Sequence, residues 1–329
     1  MTFPHQAAGI RRIYTMPYLL FVAAALFWSG NFVLGRVMHA DIPPVALAFW
    51  RWSGAAVIVT VLAWPHLKHD WMELKRRWPI LLVLSLLGIA AMNTLLYIGL
   101  QWTTVVNASL LMALMPALIA LFSFAFFGER IPPLHAMGIL LSLIGAYAII
   151  TRGNVFTFSG LAANRGDLFI LLAAAVFAAY SVALRRRPAV HPLSLMAVTF
   201  SLGALMLAPF WGWEMANGQR MTLSLPTLLT LAYLMFFPSV VAYFCFNRCI
   251  ELIGSVRAGF CIHLVPVFSS AIGIALLGEP FVWYHALGTI LIAGGILLTT
   301  PLASIARSLS VAIFAALLFL PTPTTTKGS

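Results

Sequence analysis

Residues 128–138 read GERIPPLHAMG, and residues 278–288 read GEPFVWYHALG. Gly128-Glu129, His135 and Gly138 fall on Gly278-Glu279, His285 and Gly288 at a constant shift of 150. The same shift carries Gly145 onto Gly295, Pro116 onto Pro266, Ala23-Ala24-Ala25 onto Ala173-Ala174-Ala175 and Phe27 onto Phe177. Chance apolar similarity does not keep one register through Pro, Gly, Glu and His together. The chain is internally duplicated.

The fold then depends on how many helices one copy holds. The chain has 329 residues, 62% of them hydrophobic and 8% charged, against about 45–50% and about 25% in soluble domains. An aromatic content of 13%, with 24 Phe, excludes disorder. Such a chain cannot cover a soluble core with polar surface, so it reads as a polytopic membrane protein. Crossing the roughly 30 Å hydrocarbon core takes about 20 apolar residues. The charge-free run Trp78 to Gly128 is 51 residues long, too long for one helix, and divides at the polar Gln101-Trp102-Thr103-Thr104. Runs of this kind predict helices near 17–36, 43–64, 79–100, 104–127 and 132–150. The second half predicts them near 167–185, 192–211, 226–247, 257–277 and 281–300.

The expected fold class is therefore all-α, with ten transmembrane helices in two five-helix repeats. Five is odd, so the second copy enters the membrane upside down. Inverted repeats are the architecture of secondary transporters, with the substrate near the midplane between the halves. The expected organisation is an N-terminal segment 1–16, a first repeat 17–150, a second repeat 167–300 and a tail 301–329. The tail's apolar run, Val311 to Leu320, is too short to span. Arg11 and Arg12 precede the first run as they would in a signal peptide, but the run outlasts the usual roughly 7–15 residues and reads as a retained helix.

The net charge of +11 does not point to nucleic acid, because no basic patch sits in polar surroundings. It reports orientation. With the N-terminus inside, inner segments hold 14 Lys and Arg and outer segments 4, which predicts both termini in the cytoplasm of a bacterial inner membrane. Cys245, Cys249 and Cys261 read as small buried hydrophobes. No metal or cofactor is expected. The expected partners are a small-molecule substrate and membrane lipid, with a monomer possible and the oligomeric state open.

Tyr97 to Ile150 resembles the drug/metabolite transporter superfamily, EamA type. The residues that carry the resemblance are Asn107-Ala108-Ser109, Pro116, Gly128-Glu129, Gly138 and Gly145. They are followed in the second copy by Arg257-Ala258-Gly259, Pro266, Gly278-Glu279, Gly288 and Gly295. It extends over about residues 17–300. The resemblance implies a ten-helix exporter of small metabolites working by alternating access. The branch most resembled exports amino acids, including aromatic ones, from bacteria. A nucleotide-sugar or drug exporter of the same superfamily is the alternative.

Polar groups at membrane depth are costly and usually face the bundle interior. Here they are Asn31, Arg51, Asn93, Tyr97, Tyr180, Tyr243, Asn247 and His263, joined by Trp28 as an aromatic well inside its helix. These nine are the candidate substrate-binding residues. Asn93 and Tyr97 share a helix face, and the shift lands them on Tyr243 and Asn247, the same pair with its order exchanged. They serve either as interhelical glue or as cavity lining. Arg51, placed near the middle of its helix, is either structural, snorkelling or bonded to backbone carbonyls, or a site for a substrate carboxylate. His263 either satisfies the kink at Pro266 or faces the pathway.

Glu129 and Glu279 stand just before helices and are expected to cap them. The eight acids, Asp41, Asp70, Glu73, Glu129, Asp167, Glu214, Glu251 and Glu279, all fall in loops or at helix ends. That pattern, with no HExxH and no carboxylate within a span, argues against an intramembrane enzyme. It also favours facilitated, gradient-driven export, with His263 as the one titratable group at depth.

Overall fold

The computed structural model describes residues 15–128, 131–153, 164–253 and 264–299, and their regular structure is helical throughout. Eight helices there are long and apolar enough to cross a membrane. They are α1 Pro17–Val37, α2 Pro44–Arg76, α3 Trp78–Leu100, α4 Val105–Phe127, α5 Pro133–Ile150, α6 Arg165–Arg186, α7 Pro192–Ala216 and α8, apolar over Leu225–Phe246 and helical to Ile253. Two shorter helices follow, α9 Leu264–Leu277 with 14 residues and α10 Trp283–Thr299 with 17.

Helix starts follow their prolines. A Pro stands in the first turn of α1, α2, α3, α5 and α7, where its missing N–H costs nothing. Gly128 after α4 and Gly278 after α9 both adopt left-handed backbone, with φ of 63° and 65°, so the helix stop is duplicated along with the residue.

Three helices outrun their predicted ends, α8 among them, which reaches Ile253. α2 continues to Arg76 through an internal Pro65, giving 33 residues and a length of about 50 Å. α7 continues to Ala216 through Pro209. A charge-free run marks where the bilayer ends, whereas a helix continues as long as its backbone bonds are made. The polar stretch from His66 onward therefore stays helical.

α3 and α8 each widen into a π-helical turn, at Ser85–Ala91 and Phe237–Val241. The shift of 150 superimposes these two turns. Pro238, which has no N–H to give the ladder, lies in one of them, and Gly88 holds the matching place in the other. α4 is interrupted at Ala113 and Leu114, within one turn of Pro116, as a proline kink requires.

Packing follows the duplication. α5 lies against α10, and α2 against α7. α3 packs on α6 as α8 packs on α1, α4 on α6 as α9 on α1, and α4 meets α9. Exchanging each helix with the one five places on maps this set onto itself. In the α5–α10 pair the backbones touch: a methyl on Gly145 would lie 2.8 Å from Gly288 O, and one on Gly288 would lie 2.9 Å from Gly145 O. Small residues permit this approach, and a side chain at either position forces the helices apart.

Candidate functional site

Arg51 lies seven residues into α2, about 10 Å from its start, in the first third of the helix rather than at its middle. It is 3% exposed. Its guanidinium meets no carboxylate among the described residues; neutral groups surround it. Nε donates to Ser239 Oγ at 2.7 Å. Nη1 donates to Asn31 Oδ1 at 2.9 Å, Asn93 Oδ1 at 2.8 Å and Tyr97 Oη at 2.7 Å. Nη1 carries two hydrogens, so these three acceptors share them. Tyr97 Oη passes its own hydrogen to Asn31 Oδ1 at 2.6 Å. Ser239 is aimed by the π turn of α8, donating to Leu234 O five residues back. One full positive charge thus sits on α2 in the protein interior, bonded by α1, α3 and α8.

Aromatic rings extend from this cluster. The Arg51 guanidinium stands 4.5 Å from the Trp52 ring centroid, a cation–π contact. Trp52 meets Phe200 at 4.7 Å, Phe200 meets Tyr243 at 6.0 Å, and Tyr243 meets Trp28 at 5.9 Å, centroid to centroid. Trp28 Nε1 donates to Pro238 O at 3.1 Å, again in the π turn of α8. Tyr180 fills the other π turn: a methyl on Gly88 would lie 2.5 Å from its ring.

Seven of the nine candidates are therefore located. Asn31, Arg51, Asn93 and Tyr97 form one hydrogen-bonded unit. Trp28 and Tyr243 form the aromatic wall beside it, and Tyr180 packs on α3. Asn247 falls on α8 one turn after Tyr243, but its side chain lies outside the described residues, as do His263 and Glu129. Asn93 and Tyr97 bond α2 to α3 through Arg51. Arg51 uses side-chain acceptors in these bonds.

The carboxylates occupy other places than their sequence neighbours suggest. Glu279 does not cap α10. Its Oε1 and Oε2 accept from the Val105 and Val106 N–H groups of α4 at 2.9 and 3.0 Å. Glu214 does the same for α2, accepting from Val45 at 3.1 Å and Ala46 at 2.7 Å. The leading amides of a helix carry partial positive charge, and here the capping anion comes from the far half of the chain.

Asp167, counted from sequence as a helix-end acid, is in the first turn of α6 but wholly enclosed, 0% exposed. Thr103 Oγ1 donates to its Oδ1, and Asn107 Nδ2 reaches both of its oxygens at 3.3 Å. Asn107 Oδ1 in turn meets His285 Nε2 at 2.6 Å. Sequence reasoning did not place any of the four in a site. The signals were present but dispersed: Asn107 stands among the residues that carry the family resemblance, and His285 repeats His135.

The sequence profile described as the EamA-like transporter family matches residues 15–151 and, a second time, residues 164–300. The chain belongs to the EamA-like transporter family. It is thus a multi-pass membrane transporter. It is 28% identical over 283 residues to the uncharacterized transporter YyaM of Bacillus subtilis (strain 168), spanning 85% of this chain and 92% of that one. An uncharacterized transporter of Archaeoglobus fulgidus is 28% identical over 287 residues, 86% of this chain and 96% of its own. The uncharacterized inner membrane transporter YicL of Salmonella typhimurium is 25% identical over 282 residues, 84% of this chain and 92% of its own. A solved crystal structure shares the fold, with a TM-score of 0.56 at 22% identity over 89% of this chain and 98% of the other. In this EamA-like transporter, Arg51 and its neutral partners are the densest polar cluster that the candidates form.

Proposed function

We propose that this EamA-like transporter exports small metabolites that carry a carboxylate, amino acids foremost, with Arg51 receiving the carboxylate. The observation that carries this reading is the buried guanidinium held by four neutral oxygens and no anion among the described residues. A charge in low dielectric gains most from an opposite charge, and a planar fork fits a carboxylate in two-pronged fashion. The wall of Trp28, Trp52, Phe200 and Tyr243 supplies an apolar face for a side chain. Export as the direction follows from the branch resembled.

The reading includes ten spans in two inverted repeats, 17–150 and 167–300, with α9 and α10 as the last two. The exchange symmetry of the helix contacts and of the two π turns supports it, as does the double match of the family profile. Both termini are placed in the cytoplasm on the charge bias, and the membrane is the bacterial inner membrane, as the Salmonella relative's name has it for that protein.

The test is counterflow in proteoliposomes with a panel of amino acids, a nucleotide sugar and a cationic drug. The expected result is exchange of amino acids by the native chain, with at least a tenfold loss for Arg51→Gln and partial retention for Arg51→Lys. Charge-assisted hydrogen bonds of about 1.5–3 kcal/mol translate to about tenfold or more. Exchange of the nucleotide sugar or the drug alone would overturn the substrate class. Full activity of Arg51→Gln would overturn the role of Arg51.

A further inference from the structure

A second polar cluster lies at the end of the bundle where α3 finishes and α4, α6 and α10 begin. Thr103, Asn107, Asp167 and His285 are all buried there. Two come from the first half of the sequence and two from the second. The backbones close tightly around them: a methyl on Gly166 would lie 2.6 Å from Gly99 O and 2.7 Å from Thr103 N. Asn164 Nδ2 donates to Trp102 O, and Arg36 Nη1 donates to Leu100 O and Gln101 O at 2.8 and 3.0 Å. The cluster ties these helices together.

The hydrogen positions in the cluster follow from its bonds. The Val282 N–H donates to His285 Nδ1 at 3.2 Å, so Nδ1 carries no proton. His285 is then neutral, with its hydrogen on Nε2, and donates to Asn107 Oδ1. That fixes the Asn107 amide, whose Nδ2 must face Asp167. Thr103 also donates to Asp167. Among the described residues, each side-chain hydrogen bond to this carboxylate brings a hydrogen from its partner, and the tie is strongest while both oxygens are charged acceptors.

We infer that Asp167 is a proton-binding site of the transport cycle, and that a proton bound there unties this end of the bundle. A proton from the adjoining solution forms an O–H bond to one carboxylate oxygen. No other bond forms or breaks in that step, and the group becomes neutral. Its new hydrogen then confronts Asn107 Nδ2–H, a donor itself; Thr103 Oγ1 must turn its own hydrogen away to accept it, and every remaining bond loses the charge that strengthened it. The Asn107 amide cannot turn over to help, because His285 Nε2–H holds its oxygen. The helices separate, and the proton returns to solution when the carboxylate reforms on the other side of the cycle. Facilitated export was expected because the acids fell in loops or at helix ends; Asp167 is one that the fold encloses.

The charged groups around the cluster are Arg36 on the α3 carbonyls, Arg165 exposed on α6 itself, Arg152 after α5, within electrostatic range of Asp167, and Glu279 on the α4 amides; Glu214 lies at the same end on the α2 amides, and Asp41 in the segment between α1 and α2. Among the described residues, none of the three arginines makes a hydrogen bond to Asp167. The inference does not depend on the Arg51 reading, and its test uses no substrate.

The test is double electron–electron resonance between nitroxides on Arg165→Cys and Phe281→Cys, both exposed, in the full chain with its three native cysteines replaced by serine. Spectra are taken in proteoliposomes at about pH 8 and about pH 5, a range that spans carboxylate and histidine titration. The expected result is a longer-distance population that grows at least several-fold on acidification. It is present at both pH values in Asp167→Asn and pH-dependent again in Asp167→Glu. A distribution in the native chain that ignores pH overturns the inference. So does a pH response that survives Asp167→Asn and disappears in His285→Gln, which would put the proton on His285.

Discussion

Asn93 Oδ1 sits 2.8 Å from Arg51 Nη1, so Asn93→Asp would place a fixed carboxylate against the guanidinium with almost no change in shape. If Arg51 receives the substrate's carboxylate, the internal one competes for it. The expected outcome is a chain at least as heat-stable in detergent as the native one, with counterflow reduced tenfold or more. Undiminished counterflow would assign Arg51 to structure alone. Tyr97→Phe is milder, removing one acceptor from Nη1 and one donor from Asn31. Interhelical bonds in membranes average about 0.6 kcal/mol with a maximum near 1.7, and a charged partner shifts the expectation to the upper end, about 1–2 kcal/mol. Differential scanning fluorimetry checks it. At this scale the sequence was informative where a polar residue interrupts an apolar run: Asn31, Arg51, Asn93 and Tyr97 stand out and do meet. Ser239 did not stand out, because a hydroxyl in a span is common and its aim depends on a π turn. Asp167 did not either. Its neighbour Arg165 is exposed while Asp167 is enclosed, and enclosure comes from Thr103, Asn107 and His285, far away in sequence.

Helix ends and helix contacts were legible to different degrees. The starts of α1, α2, α5 and α7 were readable because proline marks them locally. The ends of α2 and α7 were not, since charge marks the bilayer and not the helix. Capping was misread for a related reason: Glu279 has α10 beside it in sequence but α4 beside it in space. Glu279→Gln should therefore loosen α4, not α10. The loss is expected at about 0.5–2 kcal/mol, the range of an N-cap. Amide exchange should rise at Val105 and Val106, read by mass spectrometry, while the first turn of α10 keeps its protection. In the α5–α10 pair, a methyl on Gly295 would lie 2.3 Å from Gly138 O, backbone that no rotamer change can move away. Overpacking of this kind costs about 1–3 kcal/mol. Gly295→Leu should lower the melting temperature and impair transport, and normal behaviour of that variant would show the two helices free to separate.

At the scale of the whole chain, a labelling experiment decides the orientation. A single cysteine placed in the 68–77 segment should react with an impermeant maleimide in inside-out vesicles and stay silent in intact cells. Reaction in intact cells would invert the topology. The duplication was legible because it is a property of order along the chain. How the halves engage was not, because it is written in pairs such as Glu214 with Val45 and Glu279 with Val105, which lie 169 and 174 residues apart. Those pairs bear on how the protein is made. The ribosome delivers α2 and α4 long before the carboxylates that cap them, and Arg51 long before Ser239. At about 5–20 residues per second, Val105 waits roughly 10–35 s for Glu279 to be synthesised. Throughout that interval the newborn first half sits in the bilayer with bare helix ends and an incompletely bonded cation, and whatever inserts it must keep those groups wet or held until the second half arrives.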